Sequence, residues 1–202
     1  MENTDLRVVR TQQMIREAFF ELIEKIGFEK ITVSNLTKKA VINRSTFYLH
    51  YTDKYDLLNK LETEVLNGVR AILATLDFET ILRTADGSGP YPHIVKILNF
   101  VKENERFYTL ILSSKGDPSF ITKVGELIRS VVSGVIQENN ITSMFKVPVN
   151  YVIALFISTI TGFLTEWTRT GMKESPYALA CIFTDVIRHI PHKLIDLEAV
   201  QF

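Results

Sequence analysis

Cysteine is nearly missing from this sequence of 202 residues. The single Cys181 excludes an intrachain disulfide and fits a reducing compartment. A surplus of one charge sign is missing too: 23 Lys plus Arg balance 23 Asp plus Glu, so bulk charge is silent about nucleic acid. No Gly-rich phosphate loop and no Cys cluster occurs, and Cys181 stands in an apolar helical stretch, where it reads as core. Of the four histidines, His189 and His192 are three apart, but Pro191 between them breaks the helical face a metal pair would need. With no catalytic constellation assembled, the expectation is a protein without enzymatic activity, metal or cofactor. The acidic N-terminus lacks the apolar stretch of a signal peptide, which points to the cytoplasm.

Apolar residues are plentiful, at 46%, and their spacing is helical throughout. Ile15, Ala18, Phe19, Leu22, Ile23 and Ile26 form one face of a helix over 7–26, ended by Gly27. Thr32 caps a short helix carrying Val33, Leu36 and Ala40. After a break at Val41–Asn43, Arg44–Tyr51 can form a two-turn helix, and Asp53 opens a long one with Leu57, Leu58, Leu61 and Val65 inward. A loop is expected around Asp86–Pro92, followed by helices at about 93–103, 105–113, 118–139, 148–170 and 176–190. No strand pattern competes. The predicted fold is all-α with about nine helices: an N-terminal three-helix helix-turn-helix module over 1–52 and a larger C-terminal helical bundle over 53–202.

The uncharged run at 147–165 is long enough to span a bilayer. Asn150, Ser158, Thr159, Thr161 and Thr165 would sit poorly in lipid on a lone helix, so a helix buried all round in a soluble bundle is preferred and no membrane is expected.

Charge is unevenly distributed. Residues 30–52 hold Lys30, Lys38, Lys39 and Arg44 and no acid, whereas 56–202 are slightly acidic, with 14 basic against 16 acidic residues. That basic segment coincides with two short helices joined by a tight turn, the arrangement that lays its second helix in the DNA major groove. Arg44, Ser45, Thr46, Tyr48 and His50 crowd hydrogen-bonding groups onto that helix, and Phe47 and Tyr51 provide its docking side.

Residues 28–37 (Phe-Glu-Lys-Ile-Thr-Val-Ser-Asn-Leu-Thr) and 45–54 (Ser-Thr-Phe-Tyr-Leu-His-Tyr-Thr-Asp-Lys) resemble the N-terminal domain of TetR-family regulators over about residues 10–60. Gly162, Trp167, Gly171 and Ser175-Pro176 resemble, more weakly, the last two helices of some members; about 77–147 matches no motif. The resemblance implies a DNA-binding transcriptional regulator, a repressor released by a small-molecule effector, acting on a palindromic operator in double-stranded DNA. It implies phosphate contacts for Thr32, Tyr48 and Lys54, and base-edge or phosphate contacts for Arg44, Thr46 and His50, with Ser45 beside them. Arginine suits guanine, whereas tyrosine and lysine suit phosphates. The bland alternative for Tyr48 and His50 is packing on the third helix. The family places glycine in the turn where Val41 stands. A β-branched residue disfavours a left-handed backbone, so this turn is either strained or built differently. Val41 is also the one motive for an alternative, a family-like dimer acting through a partner protein with DNA binding altered or lost.

By the same resemblance the last two helices pair with their copies in a homodimer, an arrangement suited to palindromic DNA. Ala154, Ser158 and Gly162, at steps of four, with Leu179 and Phe183, are the interface candidates; the small-residue stripe would equally serve packing inside one subunit. A small apolar effector would be lined by Phe100, Tyr108, Phe156, Thr159, Phe163 and Trp167, although aromatics at helical spacing are more often plain core.

Overall fold

The computed structural model of the chain describes residues 6–75 and 89–189. Among these are nine α-helices and no strand. They are α1 (Leu6–Ile26), α2 (Val33–Ala40), α3 (Arg44–Tyr48), α4 (Lys54–Leu73), α5 (Pro92–Glu103), α6 (Glu105–Ile111), α7 (Phe120–Glu138), α8 (Val149–Arg169) and α9 (Pro176–His189). Short 3-10 turns occupy Phe28–Lys30 and Ile141–Met144. Leu76, Ile190 and the part of the expected loop before position 89 lie outside the described residues.

Local chemistry sets the helix ends. Gly27, at φ 79°, takes the positive-φ backbone that follows α1, a conformation glycine adopts without strain. Thr32 caps α2 by accepting from the Asn35 amide (3.2 Å), and the Asn35 side chain accepts from the Thr32 amide (2.6 Å). Asp53 accepts from the amides of Tyr55 and Asp56, both at 2.8 Å, to start α4. Ser175 caps α9, with Pro176 in its first position. α3 is shorter than the sequence suggests: it ends at Tyr48, not Tyr51.

The chain divides into two compact units, Met1–Val65 with Arg106–Phe120 and Leu66–Glu105 with Ile121–Phe202. The first therefore extends past residue 52 to take in the start of α4 and nearly all of α6. Its core is aromatic. Phe19 meets Phe28 edge-on, Phe20 meets Phe107, and Phe107 and Tyr108 both meet Phe120. In the second unit α5 packs on α9, where the Tyr91 amide donates to Thr184 Oγ1 (3.2 Å). Gly68 on α4 receives the Phe100 ring so closely that a Cβ there would lie 2.2 Å from Phe100 Cζ.

α8 corrects one expectation. It is long and apolar enough to cross a membrane by length and composition, but it is not buried all round within the chain. Tyr151, Leu155, Ser158, Gly162, Thr165, Glu166 and Arg169 are exposed, and steps of three and four place them on one face. A Cβ built on Gly162 would meet nothing within 4 Å, so the small-residue stripe is not packed inside the subunit at Ser158 or Gly162.

Candidate nucleic-acid interface

The helix-turn-helix is built by α2, the turn Val41–Asn43 and α3. Val41 ends α2 at φ 55°, ψ 45°, a left-handed backbone, and the Ile42 amide donates to the Thr37 carbonyl at 3.0 Å. Of the two possibilities for this turn, the structure has the strained one: valine adopts the conformation a glycine takes without cost. Val41 is 82% exposed, so the strain is not offset by burial.

Five residues cannot hold a helix by themselves, so docking holds α3. Phe47 is fully buried, with its ring edge-on to Tyr48 (5.7 Å) and 5.6 Å from buried Tyr51. Anchoring that side turns Arg44, Ser45, Tyr48 and Leu49 outward and leaves Thr46 and His50 half-buried. Arg44 Nη2 lies 3.4 Å from Tyr48 Oη, which aligns the two side chains along one edge. Tyr48 is half exposed and keeps its hydroxyl at the surface. His50 is more committed to packing, as its ring lies 6.2 Å from that of Tyr51 and its carbonyl accepts from Lys60 Nζ (2.8 Å).

Thr32 and Lys54 are brought together through the 3-10 turn. Lys54 Nζ donates to the carbonyls of Phe28 (3.0 Å) and Glu29 (2.8 Å) and sits 4.7 Å over the Phe28 ring. Two of its three N–H groups thus fix the turn just upstream of Thr32, leaving one for an anion. Asp56, which accepts from the Thr52 amide and from Lys60, is held below the usual carboxylate range by those hydrogen bonds.

Beside α3 an open cleft of about 530 Å³ is lined by Arg7, Thr11, Thr37, Lys38, Val41, Ile42, Asn43 and Thr46. Arg7 and Lys38 give it cationic walls, so it can take a phosphate strand. Arg7 was not legible as a site residue, because nothing in α1's apolar repeat marks its first turn. Lys39, from the same basic segment, points elsewhere: it pairs with Glu21 on α1, and this hydrogen bond lowers the Glu21 pKa. Leu49, 81% exposed between Tyr48 and His50, is likewise not legible as a site residue, since an apolar residue in a sequence reads as core.

The remaining candidates are dispersed. Tyr108 belongs to the first unit and is buried against Phe107 and Phe120, so it is core there. Trp167 is core in the second unit, its indole N–H satisfied by the Glu174 carbonyl (3.1 Å). Phe100, Phe156, Thr159 and Phe163 are half-buried, also in the second unit. Thr159 donates its hydroxyl to the Leu155 carbonyl, and Phe163 stacks edge-on against Phe183. Leu179 and Phe183, expected at a dimer interface, are only 7% and 4% exposed. They have no surface to offer a partner; the exposed side of α9 carries Tyr177, Ala178, Ile182 and Val186 instead. Ala154 is half-buried.

Comparison with known proteins agrees with this architecture. A model described as bacterial regulatory proteins of the tetR family matches residues 15–61, spanning the helix-turn-helix. Another, described as a transcriptional regulator C-terminal region, matches residues 89–189, half of the chain and most of the stretch where the sequence showed no motif. The chain is 43% identical over 58 residues to the HTH-type transcriptional regulator YxbF of Bacillus subtilis, covering 28% of this chain and 15% of that one. It is 28% identical over 102 residues to the HTH-type dhaKLM operon transcriptional activator DhaS of Lactococcus lactis, covering 50% of this chain and 48% of that one. These alignments thus span less than half the length of either relative. Among solved structures, NalD of Pseudomonas aeruginosa, the secondary repressor of a multidrug efflux pump, shares the fold with a TM-score of 0.67 and 14% identity. That match covers 93% of this chain and 98% of NalD. With one family model over the helix-turn-helix and a second along half its length, the chain belongs to the TetR family of DNA-binding transcriptional regulators.

Proposed function

We propose that the chain is a cytoplasmic, non-catalytic homodimer that represses transcription at a palindromic operator and is released by a small apolar effector. The observation that carries this reading is the outward face of α3, where Arg44, Ser45 and Tyr48 stand exposed on a helix pinned by buried Phe47. Residues 1–52 are the DNA-binding domain in this reading, and 53–202 serve effector binding and dimerisation. Tyr48, Thr32 and the remaining donor of Lys54 contact phosphates, Arg44 reads a guanine, and Ser45, Thr46 and His50 complete the polar contacts. Tyr48→Ala then weakens binding to all sequences and flattens the dependence on salt, whereas Arg44→Ala relaxes preference at one base pair, costing about 1–3 kcal/mol there. Fluorescence anisotropy over a salt series, with duplexes varied one base pair at a time, checks both; unchanged affinity in both variants contradicts the assignment. Val41 gives no support to the alternative of lost DNA binding, because the turn keeps the left-handed geometry that glycine would adopt.

Support for the dimer comes from two apolar faces in the second unit. α8 exposes Tyr151, Leu155, Ser158 and Gly162, and α9 exposes Ala178, Ile182 and Val186. A second copy covers them better than lipid does, since the α8 face ends in Glu166 and Arg169. The effector site uses Phe100, Phe156, Thr159 and Phe163, whose partial burial leaves ring surface for an apolar ligand. Activation is the second reading of regulatory sign, favoured by DhaS, the relative described as a transcriptional activator. A promoter–reporter assay with and without the gene for this chain decides between them: repression raises reporter output on deletion, and activation lowers it.

A further inference from the structure

Leu49 caps the C-terminal end of α3 and continues the outward face of that helix, with polar residues on either side. Ser45 and Leu49 each lie two residues from Phe47, which at 3.6 residues per turn puts both on the side opposite the buried ring. Leu49 is not a frayed end. Its backbone is helical (φ −69°, ψ −22°), and its amide donates to the Ser45 carbonyl at 3.1 Å. Arg44 and Tyr48 flank it on one side and Thr46 and His50 on the other, so an 81% exposed leucine sits amid hydrogen-bonding groups. Isolated exposed leucines are ordinary. A leucine in the middle of a polar, DNA-facing surface is different, because whatever the surface docks against must accept it without hydrogen bonds.

We propose that Leu49 is a specificity-determining residue that reads a thymine in each operator half-site by packing on its C5-methyl group. This rests on the reading above, in which α3 enters the major groove. The thymine methyl is the one apolar group that projects from the base edges there; the groups that carry the rest of the code are hydrogen-bond donors and acceptors. A leucine pressed against a cytosine amine or a guanine oxygen strips water from a polar group and returns no partner, so Leu49 rejects those bases as well as selecting thymine.

The test begins with duplexes recovered from a random library by the full chain. Thymines are then replaced by uracil, which removes the methyl and keeps the pairing, at symmetry-related positions one pair at a time. At one such pair, wild-type affinity is expected to fall by about four-fold per half-site, the worth of one buried methylene. Leu49→Ala binds the thymine and uracil duplexes equally, while Tyr48→Ala, though weaker overall, still discriminates between them. Leu49→Gln, which keeps a long side chain, is also indifferent to the methyl and serves if the alanine variant melts early. Recovered duplexes at which no uracil replacement matters overturn the proposal and leave DNA binding intact. So does a methyl effect that persists undiminished in both Leu49 variants, since another residue then reads it. Failure to recover any duplex overturns the DNA-binding reading along with this one.

Discussion

Val41 pays for the turn with a backbone that disfavours a β-branched side chain, and its exposure leaves nothing to lose by truncation. Val41→Gly trades relief of about 1–2 kcal/mol of left-handed strain against about 0.5–1 kcal/mol of added chain entropy. Denaturant unfolding is therefore expected to show stability held or raised by up to about 1.5 kcal/mol. A clear loss would mean that the turn is not left-handed. Tyr108 gives a second test at this scale. Burial pushes its phenol above the ordinary value of 10.0, and it raises that of Tyr51 as well. Above pH 10 the unfolded chain gives up this proton while the folded chain retains it, so stability falls as pH rises from there. Tyr108→Phe flattens that alkaline decline in thermal melts; an unchanged slope contradicts the burial of the phenol.

Helices were legible where capping chemistry and apolar period coincide. Thr32, Asp53 and Ser175 cap as their sequence contexts suggest, and Thr32→Ala is expected to cost about 1 kcal/mol in unfolding free energy. α3 was legible in position but not in length, because the docking of Phe47 and Tyr51 decides where a helix this short stops. α8 misled for a related reason. An apolar run is the same in sequence whether its partners lie in one subunit or in a second, and only the structure shows which face is left uncovered. Leu179 and Phe183 face inward for a reason the sequence does not carry: an apolar stripe on α9 does not say which edge faces the core. Gly68 carried no signal in the sequence, yet it receives the Phe100 ring. Gly68→Ala forces that ring to withdraw and is expected to destabilise by about 1–3 kcal/mol, despite alanine's better helix propensity. A neutral or stabilising effect in urea unfolding would show that the ring moves aside freely.

At the scale of the molecule, one three-helix module makes few base contacts, so useful specificity calls for two held at a fixed spacing. In the proposed dimer the exposed faces of α8 and α9 supply the means. Arginine at position 158 would bury an unpaired charge in that interface, and Ser158→Arg is expected to yield folded monomers with much weaker operator binding. Since Ser158 is exposed in the single chain, the variant has no reason to unfold. The most direct measurement is light scattering of the wild-type chain at micromolar concentration, alone and bound to a duplex recovered by selection. The mass of two chains is expected in both samples, with the bound dimer protecting two symmetric half-sites in a footprint of the same complex. A wild-type chain that remains monomeric in both samples, or a single unpaired protected site, would contradict this expectation.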